Sequence, residues 1–241
     1  MKLQDRIAVI TGASRGLGLE IARLFARQGA RLVLVARGEP ALREAAEELS
    51  RTTDVLAVAV DVGEDAEQIA KAALDRFGRV DVIVNNASEL GPTPMPTLDN
   101  YPWDELLHVL RINAVAPLHL IQLLLPQMKT RGEGVIINVS SDAGVQAYPG
   151  WGGYGASKAA LEHISRVLAA ELDGSGVRIY AVDPGDMNTE MHRQAEPGVD
   201  LSHLPGPEVP APAFVYLVEE ETAPSGRFEA LELIRNKAVV H

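Results

Sequence analysis

Short apolar runs alternate with longer amphipathic stretches along the chain. Ile7–Ile10, Arg31–Val35, Val55–Val60, Val80–Val84, Val135–Val139 and Val177–Val182 are rich in valine and isoleucine and nearly continuous. Such runs predict strands covered on both faces, as parallel strands are. Between them apolar positions recur at helical spacing over Leu17–Arg27, Pro40–Leu49, Asp65–Phe77, Trp103–Met128 and Tyr154–Leu172. Pro40 suits a first helical turn, and Gly29 and Gly78 stand where C-terminal caps belong. Pro117 falls inside the long fourth helix and predicts either a kink or two helices meeting there. The alternation implies an α/β fold, a doubly wound parallel β-sheet flanked by helices. In such sheets ligands sit beyond the carboxyl ends of the strands, where the winding reverses.

The periodicity breaks down between Asp186 and Pro212, a proline-rich stretch holding His192 and His203. It is too long for an ordinary connection. It is either a substrate lid, which its position after a strand end favours, or a surface loop. His192 reads as a surface residue, and Met187 and Met191 as a pocket wall.

The length of 241 residues fits one large domain, and no linker or charge block divides it. A net charge of −11 argues against nucleic acid and anionic membrane as partners. The chain has no cysteine, which excludes disulfides, thiol catalysis and zinc–thiolate sites. No cluster with metal-ligand spacing appears, so no metal is expected. Without a signal-peptide core at Met1–Arg6, a cytoplasmic protein is expected.

Thr11-Gly12-Ala13-Ser14-Arg15-Gly16-Leu17-Gly18 follows the first strand and opens the first helix. Its glycines permit a tight turn, close approach to a pyrophosphate and close helix–strand packing. The helix N-terminus adds free N–H groups and a positive dipole end, so nucleotide binding is expected. No Gly-Lys-Ser/Thr follows, so the loop is not a P-loop. The second strand ends Val35-Ala36-Arg37 without the acid that would bind a ribose 2′-hydroxyl. Arg15 and Arg37 suit a 2′-phosphate instead, so NADP(H) is favoured over NAD(H). Asp61, followed by Val62, suits an adenine contact or caps the next helix.

Tyr154 and Lys158 stand four residues apart on one helical face. A cation near a phenol favours the phenolate, so this pairing is expected to lower the tyrosine pKa toward neutrality. A phenol so tuned can give or take a proton.

Taken together, these motifs resemble those of the short-chain dehydrogenases/reductases. Thr11–Gly18 is similar to that family's TGxxxGxG loop, and Asn85-Asn86-Ala87 to its NNA motif, with Ser88 where glycine is usual. Asn113, Ser141, Tyr154 and Lys158 match its catalytic positions, with Ser141 thirteen residues before Tyr154. Pro184-Gly185 and Thr189 resemble the segment beside the nicotinamide. The resemblance implies a single Rossmann-type domain over residues 1–241. It also implies hydride transfer between a nicotinamide cofactor and a small carbonyl or secondary alcohol. In that scheme Tyr154 is the general acid/base, and Lys158 lowers its pKa and binds the nicotinamide ribose. Ser141 holds the substrate oxygen, and Asn113 holds a water that links Lys158 to solvent. Asn86 and Ala87 lie against the cofactor, or Asn86 only braces the backbone. Ser140 is expected to be a strand-end hydrogen-bond donor, and Tyr148 and Trp151 either line the substrate site or pack a loop.

The C-terminal end departs from the family's GxxxxVDGG pattern after Ser225–Leu231, which weakens the expectation of a homodimer or homotetramer. A 3-oxoacyl reductase acting on acyl carrier protein is an alternative, with Lys129 and Arg131 as a small basic patch. The turn Asp173–Gly176 lacks the arginine such enzymes carry there, so a generic small carbonyl ranks first. A non-catalytic scaffold that retains the nucleotide site is the alternative of another class. All four catalytic positions are filled, which argues against it.

Overall fold

The structure is a computed structural model and describes residues 1–220 and 224–238. Its strands are β1 (Ile7–Thr11), β2 (Arg31–Ala36), β3 (Val55–Ala59), β4 (Val82–Asn85), β5 (Gly134–Val139), β6 (Val177–Asp183) and β7 (Gly226–Glu229). They form one parallel sheet in the order β3-β2-β1-β4-β5-β6-β7. The winding reverses between β1 and β4, so a crevice opens at their carboxyl ends.

Side chains alternate between the two faces of each strand. Ala8, Ile10, Leu32, Leu34, Val135 and Ile137 pack on one face with α1 (Gly16–Arg27), α2 (Glu39–Leu49) and α8 (Pro212–Glu219). Ile7, Val9, Val33, Val35, Ile83 and Ile136 pack on the other with α3 (Ala66–Phe77) and α5 (Ala116–Arg131). Both faces are covered, which is why the strands read as unbroken apolar runs. Each fully buried Leu or Ile contributes roughly 1.5–3 kcal/mol. The remaining helices are α4 (Trp103–Leu110), α6 (Gly152–Glu171), α7 (Glu190–Ala195) and α9 (Ala230–Ala238).

The expected break in the long helix lies earlier than Pro117. A π-turn over Arg111–Val115 joins α4 to α5, and Pro117 sits in the first turn of α5. The donor that an α-helix would offer the Asn113 carbonyl is residue 117, and proline has no N–H. Trp103–Arg131 is long and apolar enough to cross a membrane, but half of its most apolar window is buried inside the fold. Four elements go beyond the sequence expectation, α7 and α9 among them. The tail of the irregular stretch starts α8 at Pro212, and Gly226–Glu229 adds a seventh strand.

At the amino end of the sheet, opposite the crevice, Asp81 is 1% exposed. It accepts from Ile7 N at 2.9 Å, Arg79 Nε at 3.1 Å and Arg131 Nη2 at 3.2 Å. Arg131 is thereby committed to the fold. Asp81→Ala leaves these donors around an uncompensated site and is expected to cost about 3 kcal/mol in urea denaturation. Nucleotide affinity, measured by titration, should stay unchanged because the crevice is at the other end.

Candidate active site

The glycine loop is tied to the end of β4 by Thr11. Its hydroxyl accepts from Asn86 N and Ala87 N, both at 3.0 Å. Asn86 Nδ2 donates back to Thr11 O at 3.0 Å and to Gly12 O at 3.2 Å. Asn86 is thus the backbone brace of the loop. A Cβ on Gly18 would lie 2.4 Å from Gly12 O, so only glycine lets α1 approach the loop this closely.

Above the loop the chain is open. Gly16 has φ +57°, and a Cβ built on it meets nothing within 4 Å. Among the described residues no side chain caps α1 at its N-terminus, and no acid stands in its first turn. Its first N–H groups are left for an anion, which suits a pyrophosphate. Ser14 and Arg15 lie in this turn. Leu17 buries its side chain in the core, so it can meet a nucleotide only through its main chain.

Arg37, Asp61 and Val62 stand beyond the ends of β2 and β3. Arg37 pairs with Glu89 and lies 3.7 Å from Asp61, while Arg15 pairs with Glu190 at the start of α7. The two guanidinium groups are therefore each held by a carboxylate. Asp61 Oδ1 accepts from Gly63 N at 2.8 Å and turns the chain, whereas Asp65 caps α3. Thr189 caps α7 through His192 N, and Pro184-Gly185 follows β6 with φ +76° at the glycine.

Beyond the ends of β5 and β6 lies a cavity of about 490 Å³. Ser141 and Tyr154 face it, with Tyr148, Trp151, Met187 and Met191 in its walls. The segment after β6 covers it through α7 and Val199–Leu204. His192, expected at the surface, is instead largely buried. Its side chain is 15% exposed, lines the cavity and meets Trp151 edge-on at 6.4 Å. Trp151 in turn meets the Tyr154 ring at 5.8 Å.

Burial decides the electrostatics of the tyrosine–lysine pair. Lys158 is 2% exposed, and its Nζ donates to Val139 O at 2.8 Å, 5.5 Å from the Tyr154 ring centre. Burial brings its pKa down to about 8, while the Asp183 carboxylate works to raise it. Tyr154 moves opposite to the expected lowering. Burial pushes it up to about 12, against the hydroxyls of Ser88 and Ser141, which favour the phenolate.

Asn113, held in the π-turn, lies outside the cavity lining. Its Nδ2 donates to Glu89 O and Ser157 Oγ at 2.8 Å, and its Oδ1 accepts from Glu89 N at 2.8 Å and Ser88 Oγ at 3.2 Å. The side chain is saturated, so only the main chain of Asn113 is left to hold a water. Two residues were missed from the sequence. Ser88, in place of the usual glycine, links Asn113 to the tyrosine. Asp142 accepts from Ser141 Oγ at 3.0 Å and from Tyr148 Oη at 2.8 Å. The Ser88 substitution was the visible signal for the first, and nothing local marked the second.

A short chain dehydrogenase family model matches residues 6–200. The chain belongs to the short-chain dehydrogenase family. It is an NAD(P)-dependent oxidoreductase. An uncharacterized oxidoreductase of Staphylococcus epidermidis is 35% identical over 190 residues, 79% of this chain and 81% of the relative. A short chain dehydrogenase from Shigella flexneri superposes with a TM-score of 0.85 at 30% identity, covering 95% of this chain and 92% of that one. A metagenomic short-chain oxidoreductase in complex with NADP gives 0.81 at 29% identity, covering 95% and 98%.

The depressed Lys158 pKa has a consequence for stability. Below about pH 8 the lysine is charged in both states, and folding carries the cost of burying an ammonium. Between about pH 8 and the usual lysine range the unfolded chain binds the extra proton, so stability from this group rises with pH. Lys158→Met should therefore stabilise the protein at pH 7 by about 2 kcal/mol, after allowing for the lost bond to Val139. Chemical denaturation at pH 7 and pH 10 should show that gain shrinking at the higher pH.

Proposed function

We propose that the protein transfers a hydride between a nicotinamide cofactor and a small carbonyl or secondary alcohol, with Tyr154 as general acid/base. The observation that carries this reading is the Tyr154 hydroxyl at the cavity wall, flanked by Ser141 and backed by Lys158. The bound cofactor supplies the hydride or accepts it. Gly12, Gly16, Gly18 and the N-terminus of α1 would hold its pyrophosphate, and Asn86, Ala87, Pro184, Gly185 and Thr189 would bind its nicotinamide half.

In reduction Tyr154 gives its proton to the substrate oxygen as charge builds there. A pKa raised by burial keeps it protonated at neutral pH, ready to donate. Ser141 and Tyr154 hydrogen-bond the same oxygen, and Ser141 turns its proton from Asp142 to do so. Lys158 holds positive charge beside the developing phenolate. The proton returns through a water on the Asn113 main chain, whose carbonyl lacks an α-helical donor at Pro117. Ser88 connects that asparagine to the tyrosine.

NADP(H) is the favoured cofactor. β2 lacks a terminal acid, and Arg15 and Arg37 stand at the nucleotide end of the crevice, exposed enough to exchange a carboxylate for a phosphate. The NADP complex of the metagenomic relative points the same way. An acyl-carrier substrate is disfavoured. The described residues lining the cavity include Asp142, Asp183, Asp186 and Glu196 but no lysine or arginine. Arg131, half of the expected basic patch, is bound to Asp81 at the far end of the sheet. The segment 186–212 acts as the lid that selects the substrate.

Tyr154→Phe should reduce NADPH-dependent turnover of a carbonyl panel by about 10²–10⁴-fold. Turnover that survives the substitution refutes the tyrosine mechanism. Arg37→Ala should weaken NADPH binding about tenfold and leave NADH nearly unchanged in a fluorescence titration. Equal effects on both nucleotides would remove Arg37 from phosphate recognition.

A further inference from the structure

Behind the tyrosine–lysine pair lies a charged cluster that the reaction as described does not use. Glu162 follows Lys158 by four residues on α6, and its side chain is 5% exposed. Its Oε1 accepts from Ser140 Oγ at 2.6 Å and from Arg227 Nε at 2.9 Å. Arg227 lies on β7 and sends Nη2 to Asp183 Oδ2 at 3.0 Å and Nη1 to Glu229 Oε1 at 3.3 Å. The other oxygen of Asp183 accepts from Gly185 N at 2.9 Å. One guanidinium thus joins the catalytic helix, the end of β5 through Ser140, and the turn after β6.

We propose that Arg227 is a positioning residue of the active site. It holds Glu162 and Asp183 as a charge-balanced cluster behind Tyr154 and Lys158 and sets the electrostatic field at that pair. This role rests on Tyr154 and Lys158 being the proton-transfer pair.

The charge arithmetic supports it. Glu162 and Asp183 each carry a negative charge, and Arg227 and Lys158 each carry a positive one. Removing the guanidinium leaves one buried negative charge in excess. Asp183 already acts on Lys158 and Tyr154, raising both. Among the described residues, the side chains that face the pair from elsewhere include no lysine or arginine. They are Ser88 after β4, Ser141, Asp142 and Tyr148 after β5, and Asp186 after β6. Across the cavity stand His192, which pairs with Glu196 at 3.7 Å, and His203. Glu229 adds a further carboxylate beside Arg227. An anchor for an edge strand needs no charge at this position, whereas a field-setting residue does, and that difference separates the two roles.

The decisive readout is the titration of Lys158 by NMR in protein labelled with ¹³C-lysine. Lys158→Arg distinguishes its signal from those of Lys2, Lys71, Lys129 and Lys237. Arg227→Met should move this titration up by roughly one pH unit, and Arg227→Lys by less than about a third of that. Glu162→Gln removes a negative charge while keeping a partner for Ser140, and should move it down. It remains informative if Arg227→Met fails to fold. An unshifted titration in folded Arg227→Met, equal shifts in Met and Lys variants, or no downward shift in Glu162→Gln each overturns the proposal. The titration needs no substrate. Tyr154-independent turnover would therefore refute the proton-transfer reading without altering this result.

Discussion

The hydroxyl of Thr11 holds the whole site in register. It is buried at the end of β1, where the sheet parts, and takes the N–H groups of Asn86 and Ala87 from the end of β4. These two donors have no strand partner left, because beyond this point β1 and β4 diverge. Asn86 returns two bonds to the glycine loop. The crevice is thus closed at its base by side chain–backbone bonds and stays open above. Without that clamp, the uncapped N-terminus of α1 would not be aimed across the sheet.

A second set of polar bonds carries this alignment to α6. Asn85 Nδ2 donates to Asn138 Oδ1 at 2.8 Å across the β4–β5 pair, where the two residues are in register. Asn138 Nδ2 then donates to Ser165 Oγ on α6 at 2.8 Å. Buried amides are costly to leave unmatched, so a one-residue slip of either strand is penalised. Tyr154, Lys158 and Glu162 ride on the same helix. Their placement over the strand ends follows from this seam, with apolar packing filling the space around it.

The price of the arrangement is a buried ammonium. Among the described residues Lys158 has one hydrogen-bond acceptor, the Val139 main-chain carbonyl, and it lies under the face of the tyrosine ring. Stability and chemistry pull in opposite directions here, as they do at sites that keep charge away from water. Asp142, Asp183, Asp186 and Glu196 line the cavity and set a negative field there. The guanidinium of Arg227 answers two of the carboxylates behind the pair. The phenol is held between these regions, and burial keeps it protonated.

Much of the fold was legible because parallel strands covered on both faces must be almost continuously apolar, and β1 to β6 are. The glycine loop and the Tyr154–Lys158 pairing stood out because their chemistry requires specific residues at short, fixed spacings, and the fold brings Ser141 and Tyr154 to one cavity. β7 was not, since four half-buried residues carry no pattern of their own and form a strand only by pairing with β6. α8 was hidden within an apolar run that follows prolines. The direction of the Tyr154 shift also escaped the sequence. Spacing puts a lysine near a phenol, but burial is a property of the assembled fold, and here it outweighs the charge. Glu162 and Arg227 stand 65 residues apart, and His192 reaches the cavity only when its segment folds back over the strand ends. Local order and family were therefore written in the chain, whose backbone and motif chemistry act over a few residues. Pocket shape, field and proton affinities were decided by the tertiary structure, because desolvation and long-range charge depend on which distant side chains meet.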